Sequence, residues 1–329
     1  MDVARAAGVG KSTVSNVLNG SGRVGEAARA RVLEMVDQLG YRPHHGARSM
    51  RSRRTMQLAY FMPAIQLEPS NLIMMQFMQS LLRAGAQRHY RMLVVAQEAD
   101  PADDIRSLVA GRIVDGFVLS DLQPGDRRPD LLAELGVPFA CFGRTRPGLP
   151  QPWADIDNVA AEAEAVAHVA DRGYRRPAYI GYEAGTYWDV EREDGFRAGL
   201  ARCGISGDGA GVLRVGDGPG ARAEIRSFLA SAEPDAVLTG SDKIAVIVYG
   251  VAAELNLRVG RDLAVVGFDG SVGASLLHPE LTSVIMPVED IARRVVARAL
   301  RQVEHGYDAE PGEFVATGLR EGESTPARR

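Results

Sequence analysis

From residue 58 onward, short apolar runs alternate with longer helical patterns, and this rhythm constrains the fold more than any other feature of the chain. The apolar runs predict strands at Leu58–Met62, Met92–Ala96, Gly116–Leu119, Phe139–Phe142, Ala178–Tyr182, Ala236–Thr239 and Val265–Phe268. The helical patterns include Leu72–His89, Pro101–Ala110, Val159–Arg172, Arg192–Cys203, Ala221–Ala232 and Lys243–Leu255. Strands that alternate with helices form parallel sheets joined by right-handed crossovers. Because these units exceed one comfortable sheet, we expect two similar α/β lobes.

The first 40 residues carry a different pattern, that of three short helices. The segment Gly8–Asn19 predicts a turn and a short helix, and a helix at Asp2–Ala7 precedes it. A third helix is predicted at Glu26–Leu39, where Gly40 stands in the position of a left-handed cap. Apolar residues at helical spacing form the expected core, namely Val14, Val17, Leu18, Ala28, Val32, Val36 and Leu39. In a helix–turn–helix unit of this size, the second helix enters the major groove of DNA.

Charge is divided unevenly along the chain. Residues 1–54 carry ten cationic and four anionic side chains, and the whole chain has a net charge of −4. The first 54 residues therefore carry +6 and the remainder carries −10. A basic head on an acidic body is typical of a DNA-binding module joined to a second function. A solvated basic tail is the alternative, and the helical patterning argues against it.

Composition excludes several classes of protein. No apolar run approaches the length of about 18 residues that a transmembrane helix needs, and no secretion leader is expected at the amino terminus. Cys141 and Cys203 lie in apolar or helical segments, so we expect buried, reduced thiols in a cytoplasmic protein. No spacing of Cys and His suggests a metal site, and we expect no cofactor.

Several segments together resemble the lactose/galactose repressor family. DVARAAGVGKSTVSNVLNG is similar to its DNA-binding headpiece, and RVLEMVDQLGYRPHHGARSM is similar to its third helix and hinge. The segments similar to its ligand-binding core are VDGFVL, VPFACFGR, DIDN, YRRPAYIG, EREDGFRAGL, DAVLTGSDKIA, LAVVGFDGS and PELTSVIMP. The resemblance implies a homodimeric bacterial transcription regulator, whose core resembles periplasmic sugar-binding proteins and closes its two lobes on a small ligand.

The resemblance also implies a division of the chain. We expect a headpiece at residues 1–43, a hinge at residues 44–57 and a core at residues 58–329 for effector binding and dimerisation. Within the core, lobe one is expected at about 58–157 and 287–311, and lobe two at about 158–286 and 312–329. Family members usually have a helix-capping residue before the first helix. Since Met1 immediately precedes Asp2, either the true start lies upstream or this headpiece is marginally stable.

By the same resemblance, residues of the headpiece and hinge read a palindromic duplex. Lys11 and Ser12 would choose base pairs, and Asn16, which replaces the usual Arg, could contact adenine. The residues expected to contact phosphates or a groove are Thr13, Ser15, Asn19, Arg23 and Arg48. Met50 replaces the usual Leu that wedges into the minor groove at the centre of the site. Composition alone leaves open a flexible linker at residues 44–54.

Polar residues at the carboxyl ends of the predicted strands give the expected effector site. These residues are Asp121, Arg144, Asp157, Trp188, Asp189, Arg192, Asp242 and Asp269. Carboxylates and arginine forks bind neighbouring hydroxyls, and Trp188 could stack on a sugar ring, so we expect a mono- or disaccharide. Alternatives stay open at single positions: Asp189 and Asp242 could cap helices, Arg144 could form a surface ion pair, and Trp188 could pack a loop.

The sequence also allows other functions. The same fold could respond to a nucleobase, or the chain could be a stand-alone sugar-binding protein without DNA. Gly8–Ser12 superficially resembles a phosphate-binding loop, but Arg5 occupies the position of its first glycine and no strand precedes it. Asp155 and Asp157 could suggest glycoside hydrolysis, but we expect them to point to opposite faces. We therefore expect a regulator and no enzyme, and the sequence leaves open whether the effector is an inducer or a co-repressor.

Overall fold

The computed structural model describes residues 2–19, 22–40, 54–63, 72–97, 101–145, 151–183, 185–206, 211–216, 218–308 and 311–328. The chain divides into two compact units, Met1–Thr55 and Met56–Arg329. Their secondary structure confirms the predicted class, in which a helical amino-terminal unit precedes an α/β core with two mainly parallel sheets.

The described part of the first unit contains three helices, α1 (Asp2–Ala6), α2 (Lys11–Asn19) and α3 (Glu26–Gln38). Buried side chains from all three helices, and from the turn after α1, form one small core, namely Val3, Ala7, Val14, Val17 and Val32. The predicted core position Leu39 is wrong, because α3 ends one residue earlier and Leu39 is 50% exposed. The predicted cap is present, since Gly40 has φ +56° and donates its N–H to Asp37.

The second unit alternates strands and helices. Its strands are β1 (Gln57–Pro63), β2 (Arg91–Gln97), β3 (Gly116–Leu119), β4 (Phe139–Phe142), β5 (Trp153–Asp155), β6 (Pro177–Tyr182), β7 (Val212–Val215), β8 (Ala236–Thr239), β9 (Ala264–Asp269), β10 (Thr282–Ile285), β11 (Glu313–Phe314) and β12 (Gly318–Arg320). Its helices are α4 (Leu72–Gln87), α5 (Ala102–Ala110), α6 (Arg128–Glu134), α7 (Asn158–Asp171), α8 (Tyr187–Arg202), α9 (Ala221–Ala232), α10 (Asp242–Glu254) and α11 (Val288–His305). A short 3₁₀ helix lies at Val272–Leu276.

The strands form two sheets, each the centre of one lobe. The first sheet has the order β11-β5-β4-β3-β1-β2, and the second has the order β12-β10-β9-β8-β6-β7. Neighbouring strands pair in parallel, except that β12 pairs antiparallel with β10. All seven predicted strands are present. Six of them are mainly buried apolar runs, typical of a parallel sheet covered on both faces. The exception is β2 at the edge of the first sheet, where Val94 is 40% exposed.

The chain passes between the lobes three times, at residues 156–158, 286–287 and 315–317. The third passage differs from the expected boundary at 312, because Glu313–Phe314 still pairs in parallel with β5 of the first sheet. Each lobe is therefore assembled from separate segments of the chain.

Two helix contacts stabilise the lobes. Helix α11 buries Ile291 and Val295 in the first lobe, where it packs against α4. In the second lobe α7 and α8 lie side by side, and a Cβ added at Gly195 would come within 2.5 Å of the Val159 carbonyl oxygen. A residue without a Cβ at this position permits the close approach of the two helices.

Candidate functional site

A cavity of about 700 Å³ lies between the lobes, where the carboxyl ends of strands from both sheets face each other. Six of the eight predicted effector residues line it, namely Asp121, Arg144, Trp188, Arg192, Asp242 and Asp269. The predicted residues Asp157 and Asp189 do not line it. The volume lies within the range of roughly 300–1,000 Å³ typical of small-molecule sites.

Arg192, on α8 of the second lobe, is held on every side. Its guanidinium carbon lies 3.5 Å from the centroid of the Phe268 ring and 4.4 Å from that of Trp188, so it is enclosed between two aromatic rings. Its Nη1 donates to the Gly240 carbonyl oxygen at 2.6 Å and lies 3.8 Å from the Asp269 carboxylate. A guanidinium fixed in this way presents its remaining donors in one orientation.

Asp269 ends β9 and is buried beside Arg192. Burial raises the pKa of this carboxyl to about 8, and the nearby Arg192 guanidinium offsets part of the rise. A carboxyl that exchanges a proton near neutral pH can either donate or accept a hydrogen bond to a hydroxyl group.

Asp242 supports the second lobe as well as lining the cavity. Its Oδ1 accepts from the Ser283 hydroxyl and its Oδ2 accepts from the Ser271 amide, each at 2.7 Å. It does not cap α10, because Ser241 is the N-cap residue and accepts from the Ile244 amide. Burial raises the pKa of the Asp242 carboxyl above its ordinary value, and its serine partners offset part of the rise.

Arg144 follows β4 through a left-handed Gly143 with φ +88°. Its guanidinium carbon lies 5.0 Å from the centroid of the Trp153 ring and 4.8 Å from that of Phe314, both in the first lobe. Its Nη2 donates to Glu191 on α8 of the second lobe, so the pair joins the two lobes. The alternative of a surface ion pair is wrong here, because both side chains are largely buried.

The two carboxylates at the first crossover have separate roles. Asp155, the last residue of β5, is buried and lines the cavity, although it was not among the predicted effector residues. Burial raises the pKa of its carboxyl to about 7, and a hydrogen bond from the Ile156 amide offsets part of the rise. Asp157 lies beyond the strand, is exposed and caps α7 by accepting from the Ala160 amide at 2.9 Å. Its assignment to the effector site is therefore corrected to a helix cap.

Asp189, like Asp157, does not lie in the cavity wall. It is buried in the first turn of α8, where it accepts from the Tyr179 hydroxyl and the Tyr182 amide, both at 3.1 Å. It therefore fixes the start of α8 to β6. Trp188 does line the cavity, but the Arg192 guanidinium covers one of its faces.

The pattern of strand ends missed several residues of the cavity and its wall. The cavity lining also includes Phe142, Tyr182, Tyr187, Lys243 and Ser271. Glu191, which contacts Arg144, was also missed. Asn158, which stands with Asp157 among the polar residues at the predicted strand ends, does not line the cavity and contacts Arg192. The position of Tyr187 beside Trp188 was a usable signal, whereas nothing in the sequence marks the partners of a buried amide.

In the first unit, α2 presents polar side chains opposite its buried valines. Lys11 and Ser12 are exposed at its start, as is Arg23 in the turn that follows the helix. Thr13, Ser15 and Asn16 are half-buried. A Cβ at Gly22 would lie 3.0 Å from the Asn16 amide nitrogen, so the Asn16 side chain lies against this turn. The remaining predicted DNA contacts, Arg48, Met50 and the Asn19 side chain, lie outside what the structure describes.

Across the described ranges, no three His, Cys, Asp or Glu side chains are grouped to hold a metal ion. No helix within those ranges has the length and apolar character needed to span a membrane. Cys141 and Cys203 are both free thiols.

Comparison with known proteins gives one consistent result. Residues 1–44 match the model of "Bacterial regulatory proteins, lacI family", and residues 166–325 match that of a periplasmic binding protein-like domain. The chain is 32% identical over 324 residues to the HTH-type transcriptional regulator CelR of Thermobifida fusca, covering 95% of this chain and 94% of that protein.

Solved structures agree with the sequence relatives. The structure of a transcriptional regulator CelR–cellobiose complex superposes with a TM-score of 0.75 at 29% identity, covering 98% of each chain. The lac repressor dimer bound to operator and the anti-inducer ONPF superposes with a TM-score of 0.86 at 21% identity, covering 99% of this chain and 98% of that one, and so shares its fold.

Proposed function

The chain belongs to the lacI family of bacterial regulatory proteins, and we propose that it is a repressor whose affinity for a palindromic operator is controlled by a disaccharide bound between its lobes. Members of this family are transcription regulators and not enzymes.

The observation that carries the proposal is the composition of the cavity. Arg192 and Asp269 from one lobe and Arg144 and Asp155 from the other supply hydrogen-bonding groups on the two sides of the cavity. Aromatic side chains accompany each arginine. Two polar sides with aromatic walls suit two linked sugar rings. The related CelR, whose structure contains cellobiose, supports this choice of ligand class.

The DNA contacts follow from α2. Lys11 and Ser12 are exposed at its first turn, where a recognition helix reaches base edges, while Val14 and Val17 fix the helix to its unit. We propose that two copies of the chain read the two halves of a palindrome, because a twofold dimer presents two identical helices to two identical half-sites. The effector then changes the affinity for DNA by the same factor as DNA changes the affinity for the effector, with a coupling free energy of about 1–3 kcal/mol.

The experiment is a thermal-shift screen of mono- and disaccharides, with cellobiose first, followed by DNA mobility assays with and without each sugar that binds. The duplex is selected from random sequence by the purified full-length protein. A sugar that raises the melting temperature and changes operator affinity supports the proposal. If nucleobases raise the melting temperature and no sugar does, the ligand is a nucleobase and not a carbohydrate. If the protein selects no DNA sequence, the proposal of a sequence-specific regulator is refuted.

A further inference from the structure

Asn158 is a buried residue whose side chain forms hydrogen bonds with two charged residues of α8. It is the first residue of α7, directly after the first passage of the chain between the lobes, and it is 0% exposed. Its amide is used at both ends. Nδ2 donates to Glu191 Oε2 at 3.3 Å, and Oδ1 accepts from Arg192 Nε at 3.0 Å.

These two bonds complete a chain of contacts from one lobe to the other. Arg144 of the first lobe donates to Glu191 Oε1, the other oxygen of the carboxylate that Asn158 holds. Arg192, held by the opposite end of the Asn158 amide, lines the cavity and lies beside Asp269. A single buried amide therefore stands between the pair that joins the lobes and the arginine that faces the ligand.

The chemistry of the position requires an amide. Glu191 only accepts hydrogen bonds and Arg192 only donates them, so the side chain between them must donate at one end and accept at the other. Among side chains of this size, a carboxylate would repel Glu191, and an apolar isostere would remove one hydrogen bond from each of these two buried charged groups. Members of a buried polar network of this kind are energetically coupled, so the loss of one member affects the others.

We propose that Asn158 is a positioning residue that couples Arg192 to the Arg144–Glu191 pair, so that ligand contact with Arg192 changes the stability of the bond between the lobes. The choice of a sugar as the ligand rests on the proposed function, whereas the coupling between the two arginines does not. Arg192 cannot turn toward a ligand without releasing or tightening its bond to Asn158, and the same amide fixes the carboxylate that Arg144 binds.

The coupling is tested without sugar or DNA by urea unfolding of the full-length protein. Arg144→Met and Arg192→Met are made singly and together, with Asn158 intact and with Asn158→Leu. With Asn158 intact, the two changes should be non-additive by roughly two- to a hundredfold in the unfolding constant of the core. With Asn158→Leu they should be additive, as should the control pair Arg144→Met and Arg197→Met, since Arg197 is exposed on the same helix. Additivity with Asn158 intact would overturn the inference.

A conservative substitution at Asn158 gives a second test in case the first variants do not fold. Asn158→Asp places a carboxylate against Glu191 and should weaken the binding of cellobiose by about tenfold. Adding Glu191→Gln restores a donor opposite the new acceptor, while its carbonyl oxygen still accepts from Arg144, and should recover most of the affinity. A double variant no better than Asn158→Asp would overturn the inference. Non-additive unfolding in a protein that binds neither cellobiose nor any other sugar would support the coupling and refute the proposed carbohydrate.

Discussion

Glu162 gives a prediction of stability that can be worked out from its surroundings. It lies on α7, is 2% exposed, and its Oε1 has no hydrogen-bond partner among the described residues. It faces α8, where a Cβ at Gly195 would lie 2.9 Å from the Glu162 Cβ. Burial raises the pKa of this carboxyl from 4.5 to about 8, although the Arg192 guanidinium offsets part of the rise.

The direction in which stability changes with pH depends on whether the folded or the unfolded chain keeps the Glu162 proton. Below pH 4.5 the carboxyl is protonated in both folded and unfolded chains, so it has no pH-dependent effect on folding. As pH rises above 4.5 the unfolded chain loses the proton first, and stability falls by about 1.4 kcal/mol per pH unit until the folded carboxyl also ionises near pH 8. The penalty is therefore about 3 kcal/mol at pH 7 and about 5 kcal/mol above pH 9.

Glu162→Gln removes this penalty while it keeps the shape of the side chain. Urea unfolding of the full-length protein at pH 5, 7 and 9 should show the variant gaining stability over the natural chain as pH rises, by about 3 kcal/mol between pH 4.5 and pH 7. Glu164→Gln, at an exposed position of the same helix, should show no such trend. A stability difference that does not change with pH would refute the argument, because it would mean that Glu162 is ionised in the folded protein.

Further predictions concern the cavity, the helix pair and the DNA. Arg192→Met should weaken cellobiose binding by about 2–3 kcal/mol in calorimetry, because the charged donor that faces the ligand is lost; unchanged affinity would remove Arg192 from the site. Gly195→Ala should lower the melting temperature, since its Cβ would meet the Val159 carbonyl oxygen at 2.5 Å, with a loss of about 1–3 kcal/mol. Lys11→Ala should weaken the selected operator by about 1–3 kcal/mol and relax its sequence preference in mobility assays, whereas equal loss on random DNA would make Lys11 a phosphate contact only. Met50→Ala should weaken operator binding far more than binding to random DNA if Met50 wedges between base steps, and equal losses would reject that role.

The fold was predictable from the sequence wherever one face, or both, of an element is apolar. The seven predicted strands are apolar runs, buried in every case except the edge strand β2, and the valines of α2 and α3 follow helical spacing. Of the described strands, β7, β10, β11 and β12 were not predicted. In β10 the buried polar residues do not resemble core positions. Ser283 is fully buried there, and its hydroxyl donates a hydrogen bond to Asp242, which is 41 residues away in sequence.

The candidate site was predictable to the extent that strand ends converge. Asp121, Arg144, Asp242 and Asp269 each follow or end a strand and line the cavity. The rule fails for Asp157, because its exposed carboxylate turns to cap α7, while Asp155 at the end of β5 lies at the wall. It also gives Asn158 only as a polar residue beside Asp157, because the role of Asn158 depends on two side chains of α8 that tertiary folding brings to it.

The three passages of the chain between the lobes have a consequence for synthesis on the ribosome. The helices of the first unit depend on contacts within its first 40 residues, so this unit can fold soon after it emerges. Each lobe, in contrast, takes an edge strand from beyond residue 312 and lacks that strand until translation is almost finished. A polypeptide cut short before that point would keep the folded first unit but would lack both finished lobes, and it would be expected to respond to no effector.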